Sequence, residues 1–163
     1  MLALFGDTPL LPTATLAGMR DALAKGAAVV GVGFEAKDPN GYGRFITVKD
    51  DLVDIREHKD ASEEERKITL CNGGLMGFSG RDALSILDAI DDSNAQKEFY
   101  LTDAPKIAHG RGLKVAALRC SEQDVLGVND RAQLAAAEAA MQQRLRARAM
   151  RDGATLIAPE TVF

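Results

Sequence analysis

A carboxylate that directly follows an apolar run is the first feature of this sequence that could do chemistry. The run Met1–Phe5 contains no charged side chain and is closed by Gly6 and Asp7. Short apolar runs of this kind are typical of a buried central strand in an α/β sheet. Ligands of such sheets bind beyond the carboxyl ends of the strands, which favours a binding role for Asp7. The residues alone are equally compatible with Asp7 starting a turn or capping a helix.

Three further polar residues stand where predicted strands or helices meet loops. Glu57 follows an apolar strand pattern, Asn72 precedes Gly73, and Asn129 precedes a long Ala-rich segment. Each also has a purely structural interpretation. Glu57 could be a solvated hairpin end and Asn72 part of a strand-to-strand turn, while Asn129 could be a helix N-cap, a role that Asp130 could share.

The sequence offers no arrangement for nucleophilic catalysis by serine or cysteine. His58 and His109 lack the spacing of metal ligands, and Cys71 and Cys120 lie singly in apolar runs without a C-x-x-C pair. We expect both cysteines to be buried free thiols in a reducing compartment.

Alternating strand and helix patterns predict a mixed α/β fold with a βαβ unit at its start. Beyond the opening run, the predicted strands are Ala27–Phe34, Arg44–Val48 and Leu52–Arg56 as a hairpin, Ile68–Cys71 continued by Leu75–Phe78, and Leu113–Leu118 as an edge or near-edge strand. Five helices are predicted. The first begins at Pro12 or Thr13 and ends at Lys25, and the second begins at the capping box Ser62-x-x-Glu65 and ends near Lys67. The third spans Arg81–Ile90, the fourth begins at a Thr102 cap and ends near His109, and the fifth spans Arg131–Arg151.

The last of these helices has a thin apolar stripe and a basic end. Its large apolar residues are few, and Arg144, Arg146, Arg148 and Arg151 crowd its C-terminal half. We interpret it as a connecting helix whose basic end is a solvated face favoured by the helix dipole, with specific anion binding as the alternative.

Length and charge exclude several functional classes. The 163 residues suffice for one ordinary domain, and the net charge of −4 with a pI near 5.2 argues against a general nucleic-acid binder. No apolar run approaches the roughly 20 residues of a membrane span, and no signal-peptide pattern is present. We therefore expect a cytoplasmic protein without membrane contacts.

Four motifs in one order carry a family resemblance: FGDTPL, then DPNGYGR with EHKDAS, then NGG, then GVND. Together they resemble the sugar-phosphate nucleotidylyltransferases, most closely the bacterial bifunctional N-acetylglucosamine-1-phosphate uridylyltransferase/glucosamine-1-phosphate acetyltransferases. The motif GDTPL alone is shared by many nucleotidyltransferases. The pairing of GYGR with EHKDA, followed by NAQKEFYLTD and GVNDR, is specific.

The resemblance implies a Rossmann-like mixed-sheet nucleotidyltransferase domain and two further segments. Residues 1–131 would form part of the uridylyltransferase domain, residues 132–152 the connecting helix, and residues 153–163 the first coil of a left-handed parallel β-helix.

The resemblance also implies site residues but no catalytic side chain, because the sugar phosphate attacks directly. Asp7 and Asn129 match the family's Mg²⁺ ligands, a donor pair that suits this hard cation. The matching substrate-binding residues are Phe5, Gly6, Gly43 through its backbone, Glu57, Asn72 and Asn129. Residues of the segment lining the sugar-phosphate side are Glu98, Tyr100 and Thr102.

The implied reaction is Mg²⁺-dependent uridylyl transfer from UTP to N-acetylglucosamine 1-phosphate. It yields UDP-N-acetylglucosamine and pyrophosphate, and it supplies precursors of peptidoglycan and lipopolysaccharide in cell-wall synthesis. The metal would offset the repulsion between two polyanions. The alternatives are a nucleotidylyltransferase for another sugar 1-phosphate and a non-catalytic interaction module.

In the family, the Gly-rich phosphate loop and most of the uridine pocket precede the stretch that matches Met1. We therefore expect little or no activity from the isolated chain. We expect a homotrimer for the complete enzyme, and self-association of the chain through uncovered sheet edges and apolar faces.

Overall fold

The computed structural model describes residues 1–49 and 51–163, which form two compact units. The first unit comprises Met1–Phe5 and Pro12–Glu122, and the second comprises Gly6–Leu11 and Gln123–Phe163.

A six-stranded mixed sheet forms the first unit. Its strands are β1 (Leu2–Ala3), β2 (Val29–Glu35), β3 (Arg44–Val48), β4 (Asp51–Arg56), β5 (Leu70–Phe78) and β6 (Val115–Cys120). The strand order is β4-β3-β5-β2-β6, with β1 also paired to β5. β2 and β6 are parallel, whereas the other pairs are antiparallel. The predicted hairpin and the predicted edge strand are thus confirmed.

In residues 1–49 and 51–163, three helices belong to the first unit and one to the second. They are α1 (Thr13–Ala24), α2 (Ala83–Leu87), α3 (Ala104–Gly110) and, in the second unit, α4 (Arg131–Arg151). Single 3₁₀ turns lie at Glu65–Lys67, Leu101–Asp103, Glu122–Val125 and Pro159–Thr161. No helix of the described residues combines the length and the apolar character that crossing a membrane requires.

Local signals in the sequence explain where two elements begin and end. After α1, the Gly26 amide donates to the Leu23 carbonyl (3.0 Å) and the Ala27 amide to the Ala22 carbonyl (3.1 Å), with Gly26 at a φ of 91°. This pattern ends a helix with a glycine in the left-handed region. The predicted capping box also forms, since the Ser62 amide donates to Glu65 Oε2 (2.8 Å) and the Glu65 amide to Ser62 Oγ (3.2 Å). It begins only one 3₁₀ turn.

The Phe45 side chain of β3 packs closely on Gly33 of β2. Val29, Val30, Val32 and Phe34 of β2 are all buried. A Cβ atom at Gly33 would lie 2.8 Å from Cε2 of Phe45 and 3.0 Å from the Cys71 carbonyl oxygen. The Phe45 ring therefore occupies space that only a glycine leaves open.

The prediction that Met1–Phe5 forms a buried central strand is wrong. β1 has only two residues, and Leu2, Leu4 and Phe5 are 37%, 45% and 56% exposed. Within the described residues, β1 pairs with β5 alone. Gly77 of β5 pairs with Leu2 and with Val30 of β2, so β5 separates β1 from β2. An apolar run needs covering layers to be buried. Here a cleft of about 480 Å³ remains, lined by Met1, Leu2, Thr13, Leu16, Ala17, Arg20 and Leu23.

Two helix predictions also need correction. α2 is shorter than the predicted helix Arg81–Ile90, and its Leu84 side chain is 74% exposed. Thr102 does not cap a helix, because it lies inside the 3₁₀ turn Leu101–Asp103 and its hydroxyl donates to the Glu57 carboxylate. Asp103 precedes α3 instead.

The second unit is built around α4, whose bounds match the prediction. Ala137 is the one fully buried residue of α4. The role of α4 as a connecting helix stays a prediction. The following residues 153–163 contain the turn Pro159–Thr161 and no strand. A β-helix coil at this position stays a prediction.

Replacing Gly33 by Ala should destabilise the first unit, because its new Cβ would collide with the Phe45 ring and the Cys71 carbonyl. We expect the free energy of unfolding to fall by about 1–3 kcal/mol, the usual cost of overpacking. Urea unfolding of Gly33→Ala measures this change. Gly80→Ala is the matched control, since nothing lies within 4 Å of its Cβ position. Equal stability losses in the two variants would contradict the close packing.

Candidate functional site

Three of the predicted substrate-binding residues lie together in the first unit. Gly43 precedes β3, Glu57 follows β4 and Asn72 lies within β5, so neighbouring strands bring them to one place. The Asn72 amide donates to the Gly43 carbonyl (2.8 Å). A Cβ at Gly43 would lie 3.4 Å from Glu57 Oε1 and 3.5 Å from Asn72 Cβ. We call Gly43, Glu57, Asn72 and Thr102 the Glu57 cluster.

Thr102 joins this cluster through its side chain. Its hydroxyl donates to Glu57 Oε1 at 2.9 Å, in a partly buried position. The bond orients the Glu57 carboxylate and rules out the interpretation of Glu57 as a solvated hairpin end. Glu57 is therefore a half-buried acceptor with a fixed orientation.

A bulge in β5 places the Asn72 side chain. The pairing with β2 moves from Leu75 opposite Val32 to Asn72 opposite Gly33, so Gly73 and Gly74 have no partner in β2. Gly74 has a φ of 77°, and its amide donates to Asn72 Oδ1 at 3.1 Å. Bulges of this kind commonly re-aim a side chain near a binding site. Asn72 is thus part of one continuous strand rather than of a simple turn.

The turn that follows Glu57 contacts the segment of residues 94–102. Asp60 Oδ1 accepts from the Ala95 amide (3.0 Å), and Lys59 donates to the Gln96 side chain. Gln96 Nε2 donates in turn to the Tyr100 hydroxyl (2.6 Å). The sequence resemblance placed Tyr100 beside the sugar phosphate, and these contacts tie it to the same turn as Glu57.

Electrostatic shifts near the cluster concern Tyr42 and Cys71. Burial, and next the negative charge of Glu122, raise the pKa of the Tyr42 phenol. Burial also raises the pKa of the Cys71 thiol, although the Arg44 charge opposes this shift. A buried thiol with a raised pKa is a poor nucleophile. Cys71 is buried, as predicted, whereas Cys120 is only half-buried.

The two predicted metal ligands, Asp7 and Asn129, lie close together in the second unit. The Val128 amide donates to the Asp7 carbonyl at 2.8 Å, which places Asn129 one residue from this contact. Both side chains are exposed. Among the described residues, no hydrogen bond or ion pair engages the Asp7 carboxylate or the Asn129 side-chain amide.

Asp130, not Asn129, caps α4. The Asp130 carboxylate accepts from the Gln133 amide at 2.7 Å, while Asn129 uses its backbone amide to donate to Gln133 Oε1 at 2.6 Å. The capping alternative for the Asn129 side chain is therefore excluded. Its oxygen stays available to another partner.

Arg144 holds the segment that carries Asp7. Its guanidinium donates to the Leu10 carbonyl and pairs with Asp124 at 2.7 Å, and its side chain is only 34% exposed. The expectation that all four arginines near the end of α4 form a solvated face is thus wrong for Arg144. Nothing in the sequence pattern around Leu10 signals this contact.

The donor set of the Asp7–Asn129 pair fits a hard cation. One carboxylate and one amide oxygen suit Mg²⁺, which usually takes one or two carboxylates and fills its other positions with waters and substrate phosphates. In the part of the chain that is described, no three His, Cys, Asp or Glu side chains converge as a closed metal cage.

Other predicted site residues lie outside these two groups. Phe5 is exposed in the first unit, where its ring would lie 3.1 Å from a Cβ at Gly74. Gly6 is exposed in the second unit, with open space around its Cβ position. Glu98 is exposed, and Asn94 binds its backbone amide and carbonyl. Sequence reasoning did not single out Arg44 or Asp60.

The capping assignment predicts unequal stability effects for two adjacent residues. Asp130→Ala should lower the free energy of unfolding by about 1 kcal/mol, because the Gln133 amide loses its acceptor. Asn129→Ala should change it by less than about 0.5 kcal/mol. Urea unfolding monitored by the helical signal compares the two variants. A larger loss in Asn129→Ala than in Asp130→Ala would contradict the assignment.

Comparison with solved structures supports the fold. The nucleoside-diphosphate-sugar pyrophosphorylase from Vibrio cholerae RC9 superposes with a TM-score of 0.54, covering 68% of this chain and 46% of its own length at 14% identity. A putative glucose-1-phosphate thymidylyltransferase from Bacillus anthracis gives a TM-score of 0.57, covering 98% of this chain and 57% of its own length at 14% identity. The mixed α/β sheet therefore resembles those of sugar nucleotidyltransferases.

Sequence comparison identifies much nearer relatives. No family model matches the chain. The "Bifunctional protein GlmU" of Bradyrhizobium sp. (strain ORS 278) is 56% identical over 163 residues, and that of Xanthobacter autotrophicus is 55% identical. Each match covers 100% of this chain and 36% of the relative. All of the chain thus matches bifunctional GlmU proteins over about a third of their length, which confirms the resemblance predicted from its motifs.

Proposed function

We propose that this chain carries the metal-binding and sugar-binding residues of a nucleotidyltransferase that forms UDP-N-acetylglucosamine. The chain spans 36% of the length of the GlmU proteins it matches, so the complete transfer is proposed for a protein of their length. A cytoplasmic homotrimer, with its role in cell-wall precursor synthesis, belongs to the same proposal.

The observation that carries the proposal is the hydrogen bond from the Val128 amide to the Asp7 carbonyl. Asp7 belongs to the motif FGDTPL and Val128 to the motif GVND, which lie more than a hundred residues apart in the sequence. Their backbone nitrogen and oxygen are nevertheless 2.8 Å apart. This backbone contact between the two motifs supports a cation shared by Asp7 and Asn129. Their side chains make no competing contacts within the described residues.

Asp7 and Asn129 would hold Mg²⁺ through their carboxylate and amide oxygens. When bound, this cation offsets the repulsion between the two polyanionic substrates and stabilises charge on the phosphate oxygens. The chain's own contribution is to hold both ligands on backbone segments fixed by the Val128 bond and by the Arg144 contact with Leu10.

The Glu57 cluster would bind the N-acetylglucosamine part of the substrate. Thr102 orients the Glu57 carboxylate as an acceptor for sugar hydroxyls. The Asn72 side chain and the backbone at Gly43 supply further hydrogen-bonding groups beside it. Orientation is the main catalytic contribution expected of such contacts, because direct transfer needs no nucleophilic side chain.

Removing the Asp7 charge should weaken divalent-cation binding. We expect the affinity of the chain for Mn²⁺, a paramagnetic substitute for Mg²⁺, to fall at least about tenfold in Asp7→Asn, because a charged ligand is lost. Water-proton relaxation measures the affinity. Asp152→Asn removes a carboxylate that is 69% exposed and paired with Arg148, and serves as the control. Equal Mn²⁺ affinities in the two variants would refute the metal role.

Neutralising Glu57 should weaken sugar binding. We expect N-acetylglucosamine 1-phosphate to bind the Glu57→Gln variant at least about tenfold more weakly, because hydrogen bonds to a charged acceptor become neutral ones. NMR titration of the chain gives the affinities. The exposed Glu63 supplies the control variant Glu63→Gln. Unchanged affinity in Glu57→Gln would contradict the role, and tighter binding of glucose 1-phosphate would favour another sugar substrate.

A further inference from the structure

Arg44 is a buried charged residue, and within the described part of the chain it forms no ion pair. It is 1% exposed, and no carboxylate of the described residues pairs with its guanidinium. Its Nε atom has no hydrogen-bond partner in the same part of the chain. Burying a charge in this way is costly unless the remaining groups are well bonded. The hydrogen bonds of the other two guanidinium nitrogens therefore decide how this charge is accommodated.

Those two nitrogens bind backbone carbonyls from two separate segments. Nη1 donates to the Tyr42 carbonyl, directly before Gly43, and Nη2 donates to the Arg66 carbonyl at 3.2 Å. One planar guanidinium thus links the start of β3 to the turn Glu65–Lys67. A lysine ammonium lacks this planar fork.

The link continues from Arg66 to the residue after Glu57. Arg66 Nε donates to the His58 carbonyl at 3.3 Å. His58 Nδ1 in turn accepts from the Gly41 amide at 3.4 Å. Hydrogen bonds therefore connect both backbone segments that carry Gly43 and Glu57, and Arg44 lies where these connections meet.

We infer that Arg44 is a positioning residue for the Glu57 cluster, an inference that rests on the sugar-binding function proposed above. It fixes Gly43 through the Tyr42 carbonyl and Glu57 through Arg66 and His58. Arg44 touches no substrate in this role. It affects binding through the geometry of the groups that contact the sugar.

Arg44→Lys tests the inference, because it keeps the charge and removes the fork. We expect its affinity for N-acetylglucosamine 1-phosphate to fall at least about tenfold. Hydrogen exchange of the Asn72 amide, which donates to Gly43, should accelerate by about tenfold or more. The Ser79 amide, which donates to the Ala28 carbonyl at 2.9 Å just beyond the paired ends of β5 and β2, should keep its exchange rate.

Two further variants keep the test decisive. Arg119→Lys changes an exposed arginine of the same unit, paired with Glu35 at 2.9 Å, and should alter neither measurement. Arg66→Ala, at an exposed side chain, removes only the connection to His58. It should weaken sugar binding by about threefold to tenfold. It decides the question if Arg44→Lys does not fold.

The outcomes separate this inference from the proposed function. Unchanged Asn72 exchange and unchanged affinity in Arg44→Lys would overturn the positioning role. Equal acceleration at Asn72 and Ser79 would also overturn it, since the role would then be one of general stability. If the unmodified chain binds no sugar phosphate, the proposed function fails, and the exchange rates alone decide whether Arg44 positions the cluster.

Discussion

The hydrogen bond from the Asn72 amide to the Gly43 carbonyl, 2.8 Å long, joins the sheet to the candidate sugar site. It lies beside the pairing of Arg44 with Cys71, where β3 meets β5. Beyond this point the bulge at Gly73 and Gly74 changes the register of β5. The core of the first unit and the Glu57 cluster therefore depend on the same short stretch of strand pairing. Gly33 of β2 lies opposite Asn72, and a Cβ atom at Gly33 would crowd the Phe45 ring and the Cys71 carbonyl.

Each of the two units contains an arginine that binds backbone carbonyls. Arg44 bonds the Tyr42 carbonyl in the first unit, and Arg144 bonds the Leu10 carbonyl in the second. A guanidinium has several donors in a fixed plane, so one side chain holds a loop and a second segment together. Carbonyl acceptors belong to every residue type. No sequence pattern therefore reveals which arginine will act in this way, and these contacts emerge only from the folded chain.

Elements defined by local signals were predictable from the sequence, whereas those that depend on distant partners were not. The hairpin, the helix end at Gly26, the capping box and the bounds of α4 follow from turn, cap and spacing residues. The prediction of a buried opening strand was wrong, because burial of Leu2 and Phe5 depends on neighbours that no local pattern specifies. The prediction that Thr102 caps a helix was wrong for a related reason. Its hydroxyl donates to Glu57, a residue distant in sequence, and does not bond a nearby amide. The candidate site residues were proposed from the order of the motifs, because a single position such as Glu57 does not indicate a site by itself.

The two candidate sites differ in how their side chains are restrained, and the difference matches the ligands proposed for them. Asp7 and Asn129 have fixed backbones but side chains without partners among the described residues. That freedom suits a cation that keeps several waters and completes its octahedron with substrate oxygens. Glu57 is instead oriented by Thr102 before any ligand arrives. Sugar hydroxyls gain directional hydrogen bonds, so a preoriented acceptor loses less conformational entropy on binding.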